Sequence, residues 1–150
     1  MKILFLFCLI AGTILVAPMA QAADWVRLRE SNIGTAYYDR ADIRQLSKTL
    51  VKVSVKYIYS PEGTRKFREA FPNVDGSEMI GYTLYVYQID CSAGSFRLTD
   101  AATYDSSGSV VRGTELHLSE SGQSTPEHIT PDSMMDQLAK ASCKWIFHSP

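Results

Sequence analysis

The sequence predicts an α+β domain with a single antiparallel β-sheet of about six strands and a C-terminal α-helix packed on one face. Apolar residues alternate with polar ones over Leu50–Tyr59, which is the spacing of a half-buried strand. Short turn sequences join residues 80–91 to two further apolar segments, which indicates an antiparallel meander. Near the C-terminus the apolar residues recur at helical spacing instead.

Residues 1–22 have the three parts of a secretory signal peptide. Lys2 gives the N-terminal region its positive charge, and residues 3–16 form a nearly continuous apolar run. Ala20 and Ala22 are the small residues expected before a cleavage site. An uncleaved anchor is the alternative, but Pro18 helps to keep the run short of the ~20 residues that span a bilayer. We expect cleavage after Ala22.

The mature chain would then be residues 23–150, one exported domain with no membrane span. The full chain has 150 residues, of which 45% are apolar and 21% charged, with a formal net charge of −1. These values are typical of a globular domain. They disfavour a nucleic-acid-binding protein, for which a basic domain is expected.

Two cysteines, Cys91 and Cys143, remain after loss of the signal peptide. In an oxidising compartment an even pair predicts a disulfide. A loop of about 50 residues closed in this way contributes about 4 kcal/mol in the chain-entropy model. We therefore predict a structural disulfide rather than a redox or metal site.

The N-terminal part of the mature chain predicts three strands and a loop. Residues 25–30 and 35–38 form the arms of a hairpin, and Leu50–Tyr59 places its valines on one face and Lys52 and Lys56 on the other, toward water. Residues 60–77 contain two prolines and two glycines amid charged residues, which predicts a long mobile loop.

Residues 80–91 predict a central strand, because both of its faces carry bulky side chains. Tyr85, Tyr87 and Ile89 share one face, and Tyr82, Leu84 and Val86 share the other. A helix would cover the first face. Loops or a partner would cover the second face, and we predict that a second copy of the chain does so in a homodimer.

The meander continues through strands at residues 96–104 and 110–116, and residues 119–130 are predicted to form a loop. Thr130 is the predicted N-cap of the C-terminal helix, with Pro131 in its first position and Asp132 near the positive end of its dipole.

An apolar stripe of this helix should face Tyr85, Tyr87 and Ile89 of the sheet. The stripe consists of Met134, Leu138, Ala141 and Trp145. On an ideal helix Cys143 lies roughly opposite its centre. Either the last turn unwinds, or the disulfide reaches around the helix end.

No motif for catalysis or for metal or cofactor binding is found. His117, His128 and His148 share no ligand spacing, and no Gly-x-Ser-x-Gly elbow is present. The sequence therefore predicts neither an enzyme nor a cofactor. A periplasmic hydrolase is the alternative, and a pocket that joins a histidine to a carboxylate would favour it.

Charge is segregated along the chain. Residues 44–68 contain seven basic residues and one acid, whereas residues 115–136 contain five acids and no Lys or Arg. The basic segment is a candidate surface for a protein partner. The predicted binding residues are Lys52, Lys56, Arg65, Lys66 and Arg68. The alternative is a solvated strand face beside a charged loop.

Several short segments, in this order, resemble the surface-adhesin protein E-like domain family. They are Gly34–Asp39 and residues 42–44, 51–56, 87–91, 96–98, 104–105, 108–111 and 129–133. The resemblance extends over essentially the whole mature chain. It implies a bacterial exported domain, mostly antiparallel sheet, with a C-terminal helix joined to the sheet by a disulfide.

The resemblance also implies a class of function. The founding adhesin is an outer-surface lipoprotein that binds host matrix and plasma proteins, and the family has no agreed catalytic residues. Here Cys8 lies inside the apolar run rather than just after it, so the signal peptide has no lipidation cysteine. We therefore predict an exported, non-enzymatic, adhesin-like domain, periplasmic or at the cell surface, that recognises a protein. A periplasmic envelope protein with a housekeeping role is the alternative.

Overall fold

The computed structural model describes residues 22–74, 76, 79–111, 116–117, 125–144 and 146. The signal segment up to residue 21, Trp145 and His148 lie outside the described residues. Every strand pairing in the sheet is antiparallel.

Within the described ranges, five strands are long and three have only two residues. The long strands are β1 (Trp25–Ser31), β2 (Gly34–Asp39), β4 (Leu50–Tyr59), β5 (Ile80–Asp90) and β6 (Ser95–Asp105). The short ones are β3 (Arg44–Gln45), β7 (Leu116–His117) and β8 (Glu127–His128). Helix α1 spans Pro61–Ala70, helix α2 spans Met134–Cys143, and a 3₁₀ turn covers Arg40–Asp42.

The strands form one sheet in the order β1-β2-β4-β5-β6-β7, with β3 paired to β4 and β8 paired to β6. β4 and β5, the two strands with the clearest sequence patterns, lie side by side in the middle. This arrangement confirms the predicted α+β class and the C-terminal helix.

We call the sheet face that carries Val51, Val53 and Val55 the inner face. These three side chains are fully buried, as are Ile89 of β5 and Leu138 of α2. The hydrophobic core lies between this face and α2. Partly buried Tyr85 and Tyr87 also pack against the core, so α2 covers the face predicted for it.

The predicted start of α2 is wrong by a few residues. Ser133, not Thr130, is the N-cap, and its Oγ accepts from the backbone N–H of Asp136 at 3.1 Å. Thr130 instead accepts a backbone bond from Ser133, and Asp132 has a φ of 60°, which helical residues do not adopt. A turn therefore precedes the helix where its first turn was expected.

The buried face of α2 is also rotated relative to the predicted stripe. The buried residues of the helix are Met135, Leu138 and Ser142, so the buried face lies roughly a sixth of a turn from the predicted centre. Cys143 then lies at the flank of the buried face rather than opposite it. Its disulfide to Cys91 joins Cα atoms that are 5.7 Å apart without unwinding the helix.

The predicted loop at residues 60–77 is wrong for Pro61–Ala70, which form helix α1. Ser60 caps the helix through a 3.0 Å bond from the Gly63 N–H, and Pro61 occupies the first turn. Proline is favoured at this position because the first-turn N–H groups have no partner within the helix. In this sequence the proline marks a helix start, not a loop.

The region after β6 differs in detail from the prediction. Val110 forms an isolated bridge with Tyr104, and β7 begins at Leu116, while residues 112–115 lie outside the described residues. The predicted loop at residues 119–130 contains the short strand β8, which pairs with Ser95 and Phe96. A two-residue strand has no periodicity that the sequence could reveal.

Candidate binding face of the sheet

The outer face is the side of the sheet opposite the core. It carries Lys52, Ser54 and Lys56 of β4, because side chains alternate along a strand and the valines between them point inward. Both helices contact the inner face, α2 through the core and α1 through Tyr59. Among the described residues, no helix covers the outer face.

Lys56 lies between two aromatic rings on the outer face. Its Nζ is 4.4 Å from the centroid of the Trp25 ring and 5.0 Å from that of Tyr82. β1 and β5 bring these rings to Lys56 from opposite sides. The cation–π contacts hold the ammonium group against the sheet.

The other three predicted cations lie on α1, not on a loop. Arg65, Lys66 and Arg68 are exposed on this helix. Phe67 points the other way and packs edge-on against Tyr59, with ring centroids 5.6 Å apart. The three cations are therefore on a helix attached to the inner face, whereas Lys52 and Lys56 project from the outer face.

Acidic residues of the same helix compensate much of the α1 charge. Arg65 forms ion pairs with Glu62, at 2.6 Å, and with Glu69, and Lys66 Nζ lies 3.9 Å from Glu62. The hydrogen bond from Arg65 lowers the pKa of Glu62, and the same pair raises the pKa of Arg65. Exposed pairs of this kind add little stability, but they weaken the field that α1 presents to a partner.

An exposed apolar row crosses the outer face and was not identified from the sequence. It consists of Ile58, Tyr82, Tyr104 and Val110, each opposite the next across the sheet. Ile58 and Val110 are 43% and 42% exposed, and the rings of Tyr82 and Tyr104 stack with centroids 4.9 Å apart. The four residues come from four separate segments, so only strand register brings them together.

The inner-face tyrosines have a structural role. The Tyr59 hydroxyl lies 2.9 Å from Thr83 Oγ1, which lies 2.8 Å from Thr103 Oγ1. Burial raises the pKa of Tyr59 and Tyr85. In the described part of the chain, every buried polar side-chain atom has a hydrogen-bond partner, so this network offers no free group to a ligand.

The described residues contain no group of three or more His, Cys, Asp or Glu side chains that could hold a metal ion. His128 is exposed on β8. Where the structure describes the chain, neither helix is long and apolar enough to cross a bilayer.

Comparison with known proteins identifies one family. The sequence model described as Surface-adhesin protein E matches residues 25–144, from the first residue of β1 to the residue that follows α2. No curated protein and no solved structure gives a significant match.

Proposed function

This chain belongs to the surface-adhesin protein E family, and we propose that it is an exported, non-enzymatic domain that binds a protein partner through the outer face of its sheet. The observation that carries the proposal is the exposed apolar row of Ile58, Tyr82, Tyr104 and Val110. An exposed row of aromatic and aliphatic side chains is typical of protein interfaces.

The two lysines of the outer face complement this row. Lys56 is next to Tyr82, and Lys52 lies four residues away on the same strand face, with Ser54 between the two lysines. Apolar side chains in the centre of an interface supply affinity, whereas charges at its rim mainly steer association and set its salt dependence. The partner would therefore bury the row and place acidic groups near the lysines.

A binding experiment tests this division between anchor and rim. The processed protein would be passed over immobilised vertebrate matrix and plasma proteins, and the tightest binder would be titrated with variants. We expect the double variant Ile58→Ser, Val110→Ser to weaken binding about ten-fold or more. Lys52→Gln, Lys56→Gln should reduce affinity less and flatten its dependence on salt.

The α1 cations provide the matched control. The variant Arg65→Gln, Lys66→Gln, Arg68→Gln removes more charge than the lysine variant, but from a helix attached to the other face. We expect it to leave affinity nearly unchanged. A larger loss in this variant than in either outer-face variant would show that the partner binds α1 and would refute the proposal.

A second copy of the chain is the occupant we propose for the outer face in the absence of another partner. A two-fold axis through the apolar row would bury it against its own copy. We expect a concentration-dependent dimer in sedimentation velocity, and Ile58→Asp should shift the equilibrium to monomer. A wild-type protein that stays monomeric at high concentration would rule out this dimer.

The signal segment supports export, and we propose cleavage after Ala22 with release of residues 23–150. Protease treatment of intact cells, together with periplasmic extraction of the same culture, separates the two sites of action. Loss on protease treatment would support a surface adhesin that meets host proteins. Protection and recovery in the periplasmic extract would support an envelope protein, and the partner search would then turn to envelope proteins.

A further inference from the structure

A line of basic side chains crosses the outer face away from the apolar row. Arg44 of β3 is opposite Lys52 of β4, Lys52 is opposite Gln88 of β5, and Gln88 is opposite Arg97 of β6. Directly opposed residues in an antiparallel sheet lie on the same face. Arg44, Lys52 and Arg97 therefore form a cationic row with the neutral amide of Gln88 between Lys52 and Arg97, and Arg44 at its end is paired with Asp42.

Gln88 orients the Arg97 guanidinium without cancelling its charge. Both Nε and Nη2 of Arg97 donate to Gln88 Oε1, the first at 2.8 Å. The amide oxygen accepts these bonds but carries no net charge. The remaining guanidinium N–H groups are held in a fixed plane, which suits recognition of an oxyanion.

A cleft of about 220 Å³ opens beside this guanidinium. Its lining residues are Leu50, Gln88, Asp90, Ser95, Phe96, Arg97 and Pro126. The apolar members would contact the methylene groups of a ligand, while Arg97 is the cationic group of the lining. This volume is suited to one side chain rather than to a large cofactor.

Two carboxylates near the row, Asp90 and Asp42, have hydrogen-bond partners of their own. Asp90 Oδ1 accepts from the backbone N–H groups of Ser92 and Ala93, both at 3.0 Å, and these turn contacts lower the pKa of Asp90. Asp42 accepts from Ser54 Oγ at 2.8 Å and lies 3.7 Å from Arg44. Asp90 thus serves the turn, Asp42 lies between Ser54 and Arg44, and Arg97 is held by an amide.

We propose that the cleft beside Arg97 binds the carboxylate of a Glu or Asp side chain in an acidic segment of a protein partner, with Lys52 and Arg44 attracting neighbouring acids. This inference rests on the proposed function, since it names the chemistry of the partner on the same face. Lys52 and Ile58 are six positions apart on β4, so the acidic segment would lie ~20 Å from the residues that cover the apolar row.

The test uses a model peptide, ten residues of alternating Glu and Gly with blocked ends, and its Gln–Gly counterpart. Both are titrated into the ¹⁵N-labelled processed protein while amide chemical shifts are recorded. We expect the Glu peptide alone to shift the amides of Lys52, Gln88 and Arg97. Arg97→Gln should weaken binding about ten-fold.

Gln88→Leu is the diagnostic variant, because it leaves the net charge unchanged. An oriented guanidinium predicts a several-fold loss of affinity in this variant, whereas general attraction to positive charge predicts none. Arg65→Gln, Lys66→Gln on α1 is the control and should bind as the wild type does. Thermal melts would confirm that each variant is folded.

Three results would overturn the carboxylate site. They are no shifts at about 5 mM Glu peptide, wild-type affinity in Gln88→Leu, and tighter binding of a sulfated heparin fragment to the same amides. The last result would assign the row to a sulfated glycan instead of an acidic segment.

The peptide has no apolar side chains, so its binding should be unchanged in Ile58→Ser, Val110→Ser. If the peptide binds but both outer-face variants bind the full-length partner with wild-type affinity, the proposed function is refuted. The carboxylate site would still stand. Loss of peptide binding alone, with a partner that depends on the apolar row, would refute only the carboxylate site.

Discussion

At the scale of single residues, alternation along β4 is enough to assign Lys52 and Lys56 to the outer face, as the sequence predicts. It does not show that Trp25 and Tyr82 approach Lys56 from two sides, because these rings come from strands 31 and 26 residues away in the chain. Contacts of this kind depend on register between strands. A lysine in a strand pattern therefore reveals its side of the sheet but not its neighbours.

Tyr87 on the inner face carries a pH-dependent part of the stability. Burial, with a smaller effect of Glu127, raises its pKa from 10.0 to about 12. The folded state therefore disfavours the phenolate, so this contribution is complete below pH 10 and is lost as the pH rises toward 12. A shift of this size corresponds to at most about 3 kcal/mol.

We expect the free energy of unfolding to fall between pH 10 and 12, and to fall less in Tyr87→Phe. Urea titrations at several pH values would measure both slopes. Equal slopes in the two proteins would contradict a raised pKa at Tyr87.

At the scale of elements, helix α1 illustrates how one residue can decide packing. Ideal placement of a Cβ on Gly63 would make it overlap the carbonyl oxygen of Ile33, which also accepts a 3.1 Å bond from the Ser60 N–H. The missing side chain allows the first turn of α1 to approach the β1–β2 turn closely. The helical conformation of Gly63 itself does not require glycine.

Gly63→Ala should therefore destabilise the protein, by about 1–3 kcal/mol, although alanine is the better helix former. Chemical denaturation would measure the change. Arg68→Ala, at an exposed position of the same helix, is the control and should remain within about 0.5 kcal/mol of wild type. Stabilisation by Gly63→Ala would show that α1 is not held against Ile33.

The two helices also show why element boundaries are harder to predict than element types. Several residues just before α2 can cap a helix. Ser133 is the N-cap because its Oγ reaches the Asp136 N–H. The rotation of its buried face is set by contact with the sheet, which local periodicity cannot specify. In α1, Phe67 is the only large apolar residue within the helix, so no apolar stripe marked it as helical.

At the scale of the whole molecule, the disulfide joins the end of the central strand β5 to the end of α2. Cys91 and Cys143 are 52 positions apart, so the bond closes a long loop that contains β6 and the segment after it. In the chain-entropy model, closing a long loop restricts the unfolded chain more than closing a short one. The bond also holds α2 against the inner face on which Leu138 is buried.

Removal of this bond should cost about 4 kcal/mol and lower the Tm by more than about 10 °C. The measurement is a melting curve with and without reductant, after reduction has been verified by thiol titration. Cys91→Ala, Cys143→Ala should melt like the reduced protein and should not respond to reductant. Superimposable curves for oxidised and reduced wild type would contradict a stabilising role.

The sequence alone determined the class of the domain, the two central strands, the C-terminal helix, the cysteine pair and the family, because each of these leaves a local periodic or motif-like pattern. Only the tertiary structure decided that the predicted basic residues lie on two sides of the sheet, since residues 60–77 carried no helical periodicity that would place them. The apolar row and the line through Arg44, Lys52 and Arg97 likewise required strand register. Their members are neighbours in space but come from separate segments of the chain, and pairing across a sheet is set by packing of the whole core.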